Sequence, residues 1–184
     1  MYVVSSVTFD EVCAQFRRDH PVEREHEANT NQDAVNALEL ADQTFGSWSR
    51  ARLSGAEVRD VMLPWHLSEG GGCELVPRSG LTVGRAVRLL RSREPEWSEA
   101  NPVCRAKLDR FRDARPSSIY LSTRALPHED YAGLPTDHEG LFHLDGLHRM
   151  IALELGGRLP TEEELTVFIA GDIAPQATTG GLRT

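Results

Sequence analysis

The segment His143-Leu144-Asp145-Gly146-Leu147-His148-Arg149 places two imidazoles, a carboxylate and a guanidinium in one short stretch. It lies where an apolar extended run, Gly140 to Leu144, gives way to a helical pattern from Leu147. The start of a helix offers amides with no internal partner and a dipole that favours an anion. Gly146 can take a positive φ and lets a ligand approach the backbone. Arg149 offers a planar, bidentate donor for phosphate. His148 can donate to a phosphoryl oxygen or move a proton near neutral pH. Asp145 can accept a proton from an attacking hydroxyl or help to hold Mg²⁺. The chemistry so described is a phosphate cradle that needs no lysine. A plainer reading stands beside it, with Asp145 an N-cap, Gly146 a tight turn, and His148 and Arg149 surface residues.

The same region carries a second pattern. His128, Asp130, His138, Glu139, His143, Asp145 and His148 crowd between residues 128 and 148. His143-x-Asp145 mimics the first two ligands of a facial iron triad. On a strand these two residues share a face. That arrangement normally needs a further histidine downstream, and none follows His148. His128 and His138 read better as part of a solvated loop.

Composition removes several alternatives. Lys107 is the single lysine and follows no glycine-rich loop, which excludes a Walker A site. The net charge of −8 works against nucleic acid and anionic membranes. The arginines at 85, 88, 91 and 93, and at 105, 110, 112 and 115, read as solvated helix faces. The cysteines Cys13, Cys73 and Cys104 are odd in number and form no CxxC pair, so neither a disulfide framework nor a cysteine-rich zinc site is expected. The N-terminus has no basic, then apolar, signal-peptide pattern. No run approaches the roughly 20 apolar residues of a membrane helix. A cytoplasmic protein is expected.

The elements that must position the motif follow from periodicity. Thr8 and Glu11 have capping-box spacing for a helix over residues 8–19, with Phe9, Val12, Cys13 and Phe16 as its stripe. A second helix is expected from Asn31 to Arg52, and a mixed, possibly extended stretch from Val58 to Leu67. Further helices are expected over residues 82–93 and 102–114, the latter with Val103, Leu108 and Phe111 inward. Strands are expected over 117–123, 140–144 and 165–170, with a polar loop over 126–140 and a helix over 147–155. Thr123 and Arg124 then follow a strand into the same cleft as the motif.

A strand, then Asp145-Gly146-x-His148-Arg149, then an Ala/Leu-rich helix ending at Gly156-Gly157 resembles the ParB/sulfiredoxin superfamily. The likeness spans about Val58 to Ala170, and its specific part is Leu141 to Gly157. Leu63-Pro64-Trp65-His66-Leu67-Ser68-Glu69 is similar to the early strand and polar loop of that family. Sulfiredoxins carry a reactive cysteine where this chain has Leu147, so their chemistry is not expected. ParB partition proteins carry an arginine-rich motif and a helix-turn-helix domain, so partitioning is not expected either. The nearest branch is the free-serine kinases with Asp-Gly-His-His-Arg, from which the chain departs at Leu147.

The resemblance implies ATP or ADP as the nucleotide, with Mg²⁺ offsetting its charge. Phosphates would lie on Gly146, Leu147, His148 and Arg149. Asp145 would serve as catalytic base and metal ligand, and His148 and an early-loop acid, Glu69, would assist. Thr123 and Arg124 would hold an acceptor carboxylate or a phosphate. The expected fold is α+β, a ParB/sulfiredoxin-like small mixed sheet with packed helices over residues 56–174. Residues 1–55 would be an N-terminal helical extension and 175–184 a flexible tail. The expected function is phosphorylation of a hydroxyl on a small metabolite, such as the amino acid serine. The alternatives are a nucleotide-binding regulatory module without turnover and a His/Asp metalloenzyme using the 128–148 cluster. The expected partners are a small-molecule substrate and a nucleotide, with a homodimer as the oligomer to test; nucleic acid and membrane are not expected.

Overall fold

The computed structural model describes residues 1–20, 28–67, 71–160 and 165–173. The chain is α+β, built on a mixed seven-stranded sheet. The strands are β1 (Tyr2–Val7), β2 (Trp48–Leu53), β3 (Met62–Leu63), β6 (Leu81–Thr82), β7 (Ile119–Ser122), β8 (Phe142–Asp145) and β9 (Leu165–Ala170), in the spatial order β1-β2-β9-β7-β8-β3-β6. A separate ribbon pairs β4 (His66–Leu67) with β5 (Glu74–Val76).

Helices cover both faces of the sheet. On one face lie α3 (Gly55–Asp60), α4 (Val83–Arg93), α6 (Pro102–Asp113) and α7 (Leu147–Leu155), packed on Ala51, Leu53, Ile119, Leu121, Val167 and Ile169. On the other lie α1 (Phe9–Asp19) and α2 (Ala28–Phe45), packed on Trp48, Tyr120, Phe142, Leu144 and Phe168. A short helix α5 (Glu96–Ala100) precedes α6 and buries Trp97. The alternation Ile119, Tyr120, Leu121 therefore feeds two cores, one on each side. This double cover explains why β7 and most of β9 are unbroken apolar runs rather than alternating ones.

Local signals account for several elements. The Thr8 hydroxyl accepts from the Glu11 amide at 3.3 Å, and the Thr8 amide donates to the Glu11 carboxylate at 2.8 Å, as the capping box predicts. A second box, Ser54 with Glu57, starts α3, so Val58 to Asp60 of the expected extended stretch are helical and only Met62–Leu63 and His66–Leu67 within it are strand. The α7 and β9 boundaries fall where the periodicity put them. Val103 is a correction: it is 40% exposed, and α6 turns Cys104 and Leu108, one turn apart, into the core instead.

The N-terminal third also differs from expectation. It is not a helical extension, because β1 and β2 belong to the main sheet, with Trp48 to Leu53 paired antiparallel along β9. The second helix stops at Phe45 rather than Arg52. Gly46, at φ +66°, breaks it, and Trp48, Ala51 and Leu53 then bury as strand residues. The tail over residues 175–184 lies outside the described residues. Among the described residues no helix is long and apolar enough to cross a membrane.

Candidate functional site

β3 runs parallel to β8, with Met62 beside Phe142. Their C-terminal ends therefore leave the sheet side by side. From β3 the chain continues through Pro64 and Trp65 to His66, and from β8 through Gly146 to His148 in the first turn of α7. The outer side of such strand ends is where open sheets with parallel strands bind ligands. Helix α6 packs against α7 and brings Cys104, in its own first turn, to the same place.

Three side chains from separate parts of the chain thus converge. Cys104 Sγ lies 3.1 Å from His148 Nε2 and 3.5 Å from His66 Nε2. One ligand atom from each residue can be chosen so that all three lie within 4.8 Å of one another. The His66 and His148 rings meet edge to face, with centroids 5.0 Å apart. Zinc–sulfur and zinc–nitrogen bonds of about 2.3 and 2.05 Å at tetrahedral angles set an S···N edge of roughly 3.5 Å. The cluster is already close to that spacing. Burial pushes the His66 imidazole down to about 4, helped by the Lys107 charge. Burial, His66 and Lys107 hold His148 well below the ordinary 6.5. Both rings are therefore neutral at pH 7, the form that ligates a metal. The first turn of a helix favours a thiolate, which is the ligating form of cysteine.

His66 and His148 line a cleft of about 550 Å³ between α2, the Pro64–His66 segment, the 128–131 turn and the start of α7. Cys104, 2% exposed, sits behind them. The wall includes Leu40, Leu126, Tyr131, Leu144 and Leu147. His143 also lines the cleft, and its Nε2 accepts from the Leu147 amide at 2.9 Å. A neutral ring in that position carries its proton on Nδ1. That atom is buried without a partner among the described residues. Burial lowers the His143 imidazole to about 4.

The residues of the expected cradle are placed differently from one another. Gly146 takes φ +109° at the N-cap of α7 and lines the cleft with Leu147 and His148. Arg149 instead turns inward and is 6% exposed. It forms an ion pair with Asp145, one helical turn before it, and donates to the Ser117 hydroxyl at 2.7 Å. His20 Nε2, at the end of α1, lies 3.3 Å from the same Asp145 carboxylate. Burial pushes the Asp145 carboxyl up, but Arg149 and His20 outweigh it and hold it well below the usual carboxylate range. Asp145 and Arg149 are thus mutually engaged at the edge of the cleft. They stand as a buried ion pair, not as a free base beside a free phosphate clamp.

Thr123 and Arg124 do not join this cleft. β7 and β8 are antiparallel, so residues after Ser122 lie beside Phe142, at the opposite end of β8 from Gly146. Thr123 packs towards Gly171, and Arg124 lies over the Phe45 ring at 5.3 Å. Glu69 lies outside the described residues. His128 pairs with Asp130 at 3.4 Å on the rim of the cleft, and His138 lines a different depression beside Arg59 and Arg88. Of the 128–148 cluster, only His148 enters the His–Cys–His group.

His66 and Cys104 were not among the expected site residues. They stand 38 residues apart, and Cys104 and His148 stand 44 apart, so no short spacing links them. The available signal was a histidine just after an apolar pair, Met62-Leu63, and a cysteine opening an amphipathic helix.

Two predictions arise here. Gly146→Ala puts a Cβ 2.8 Å from Ile119 Cδ1 on a backbone at φ +109°, and it should cost about 1–3 kcal/mol in urea unfolding. A stability equal to wild type would show that this turn is not constrained. The second concerns pH. His66 and His143 at about 4, and His148 well below 6.5, lie under their unfolded values. The unfolded chain therefore takes up protons first as pH falls. In the metal-free protein this stability is fully present above about pH 6.5 and is lost towards about pH 4, at up to ~1.4 kcal/mol per pH unit for each histidine. Urea midpoints that stay flat across that window would contradict it.

The fold and site define an α+β protein with a nitrogen–nitrogen–sulfur cluster at the floor of a cleft. The chain belongs to DUF6309, a family of unknown function whose model matches residues 1–182. No curated protein and no solved structure matches the chain.

Proposed function

We propose that the protein is a zinc-dependent enzyme of hydrolytic type, with His66, Cys104 and His148 as metal ligands and the adjoining cleft as its substrate site. The observation that carries this reading is the convergence of two neutral imidazoles and a thiol at the floor of that cleft, the sulfur 3.1 and 3.5 Å from the two nitrogens. Two nitrogens and one sulfur suit zinc, and three protein ligands leave a fourth position for water or substrate. Zinc held there would lower the pKa of its water to about 7 and so supply a nucleophile at neutral pH. Two histidines and a cysteine also form copper electron-transfer sites. The cleft of about 550 Å³ over the ligands favours substrate access instead. The test is turnover of small esters and amides by purified protein, before and after chelation and after zinc is restored. Hydrolysis that survives removal of the metal would sink the reading.

A nucleotide-dependent kinase on a ParB/sulfiredoxin-like core is the second reading. The order β8, Asp145-Gly146, α7, with Gly146 at φ +109° on the cleft, favours it. The engagement of Arg149 by Asp145 and Ser117 weighs against it, as does the lack of arginine or lysine among the described cleft-lining residues. Titration with ATP and ADP in the presence of Mg²⁺ separates the readings. Binding with transfer to a small alcohol supports the kinase, binding without transfer supports a regulatory module, and the zinc reading expects neither.

A further inference from the structure

The cleft has a one-sided charge. None of its described lining residues is arginine or lysine. Its carboxylates among the described residues are Asp33, Glu129, Asp130 and Asp145. Asp145 is offset by Arg149. Asp33 and Glu129 are exposed, and neither has an ion pair among the described residues. The negative charge thus gathers at the outer part, on α2 and the 129–131 turn, while the His–Cys–His group lies at the floor. Between them the wall is apolar.

We propose that the cleft selects a small cationic amine that carries a carbonyl-type oxygen on an apolar body. The oxygen sits at the metal position. The body lies along Leu40, Leu126 and Leu144, and the ammonium group faces Asp33 and Glu129. A second anionic group at the far end of the substrate is disfavoured, because the outer carboxylates repel it and no arginine or lysine among the described lining residues answers it. This inference names the substrate class of the zinc site proposed above and rests on that reading.

The test uses three hydroxamates of equal chain length on the zinc-loaded protein: 6-aminohexanohydroxamic acid, hexanohydroxamic acid and the monohydroxamate of adipic acid. The hydroxamate end binds zinc in all three, and only the far end differs in charge. Calorimetry should rank them amine, neutral, carboxylate, with roughly tenfold between the ends of the series at low salt and less at high salt. In the double variant Asp33→Asn with Glu129→Gln, both exposed positions, the ranking should collapse while the neutral compound binds as before. Equal binding of all three by wild type, or tighter binding of the carboxylate, would overturn the substrate class and leave the zinc site standing. No binding of any hydroxamate would overturn the zinc reading and this inference with it.

Discussion

On the zinc reading, Cys104→Ser should remove the metal and the activity together. The thiolate is the only sulfur in the group, and a serine hydroxyl at neutral pH offers zinc a far poorer ligand. Loss of an outer partner to a metal ligand costs about 10–100-fold in affinity, and loss of a ligand itself should exceed that. Zinc content should fall from about one equivalent to near none, since three protein ligands are the fewest that hold a catalytic site. The fold should survive, because serine is close in volume and Cys104 is one member of a large core that includes Leu108, Met150 and Ile151. Circular dichroism checks this, and His66→Gln, at a half-buried ligand, provides a second variant outside that core. Full zinc content in both folded variants would place the metal elsewhere.

Arg149→Ala should act on stability rather than on ligand binding. Arg149 is 6% exposed, paired with Asp145 and bonded to Ser117 at 2.7 Å. Removing it strands a buried carboxylate with His20 alone, and breaking such a pair costs about 3–5 kcal/mol. Denaturant unfolding measures this directly. The double variant Asp145→Asn with Arg149→Met should recover much of the loss, because it removes both charges and keeps most of the volume. An unchanged unfolding midpoint in Arg149→Ala would contradict the inward placement. It would also revive the phosphate clamp, since a free guanidinium can be lost without destabilising the fold.

The sequence carried some of this plainly and some not at all. The Thr8–Glu11 box, the α7 stripe and the β9 run are local patterns, and each appears at its expected place. Tyr2-Val3-Val4-Ser5-Ser6-Val7 shows no clean alternation, and its strand exists through pairing with β2. Met62-Leu63 is too short to signal a strand, yet its parallel pairing with β8 brings His66 to His148. The site was therefore half legible. His148 stood in a visible motif, whereas His66 and Cys104 meet it only through the sheet and the packing of α6 on α7. Asp145 and Arg149 were visible but open to two readings. Their four-residue spacing is that of a helical ion pair, and the buried face of α7 decides for that pairing.

The measurement that bears most directly on the central claim is the absorption spectrum of the protein stripped of metal and reloaded with Co²⁺, which takes the geometry of zinc and reports its ligands. A thiolate bound to cobalt gives a sulfur-to-metal charge-transfer band, and tetrahedral coordination gives strong visible bands. Both should appear in wild type at about one cobalt per chain, as three protein ligands with an open fourth position require, and both should be lost in Cys104→Ser. A spectrum without the charge-transfer band, or one that Cys104→Ser leaves unchanged, would show that His66, Cys104 and His148 do not form the metal centre.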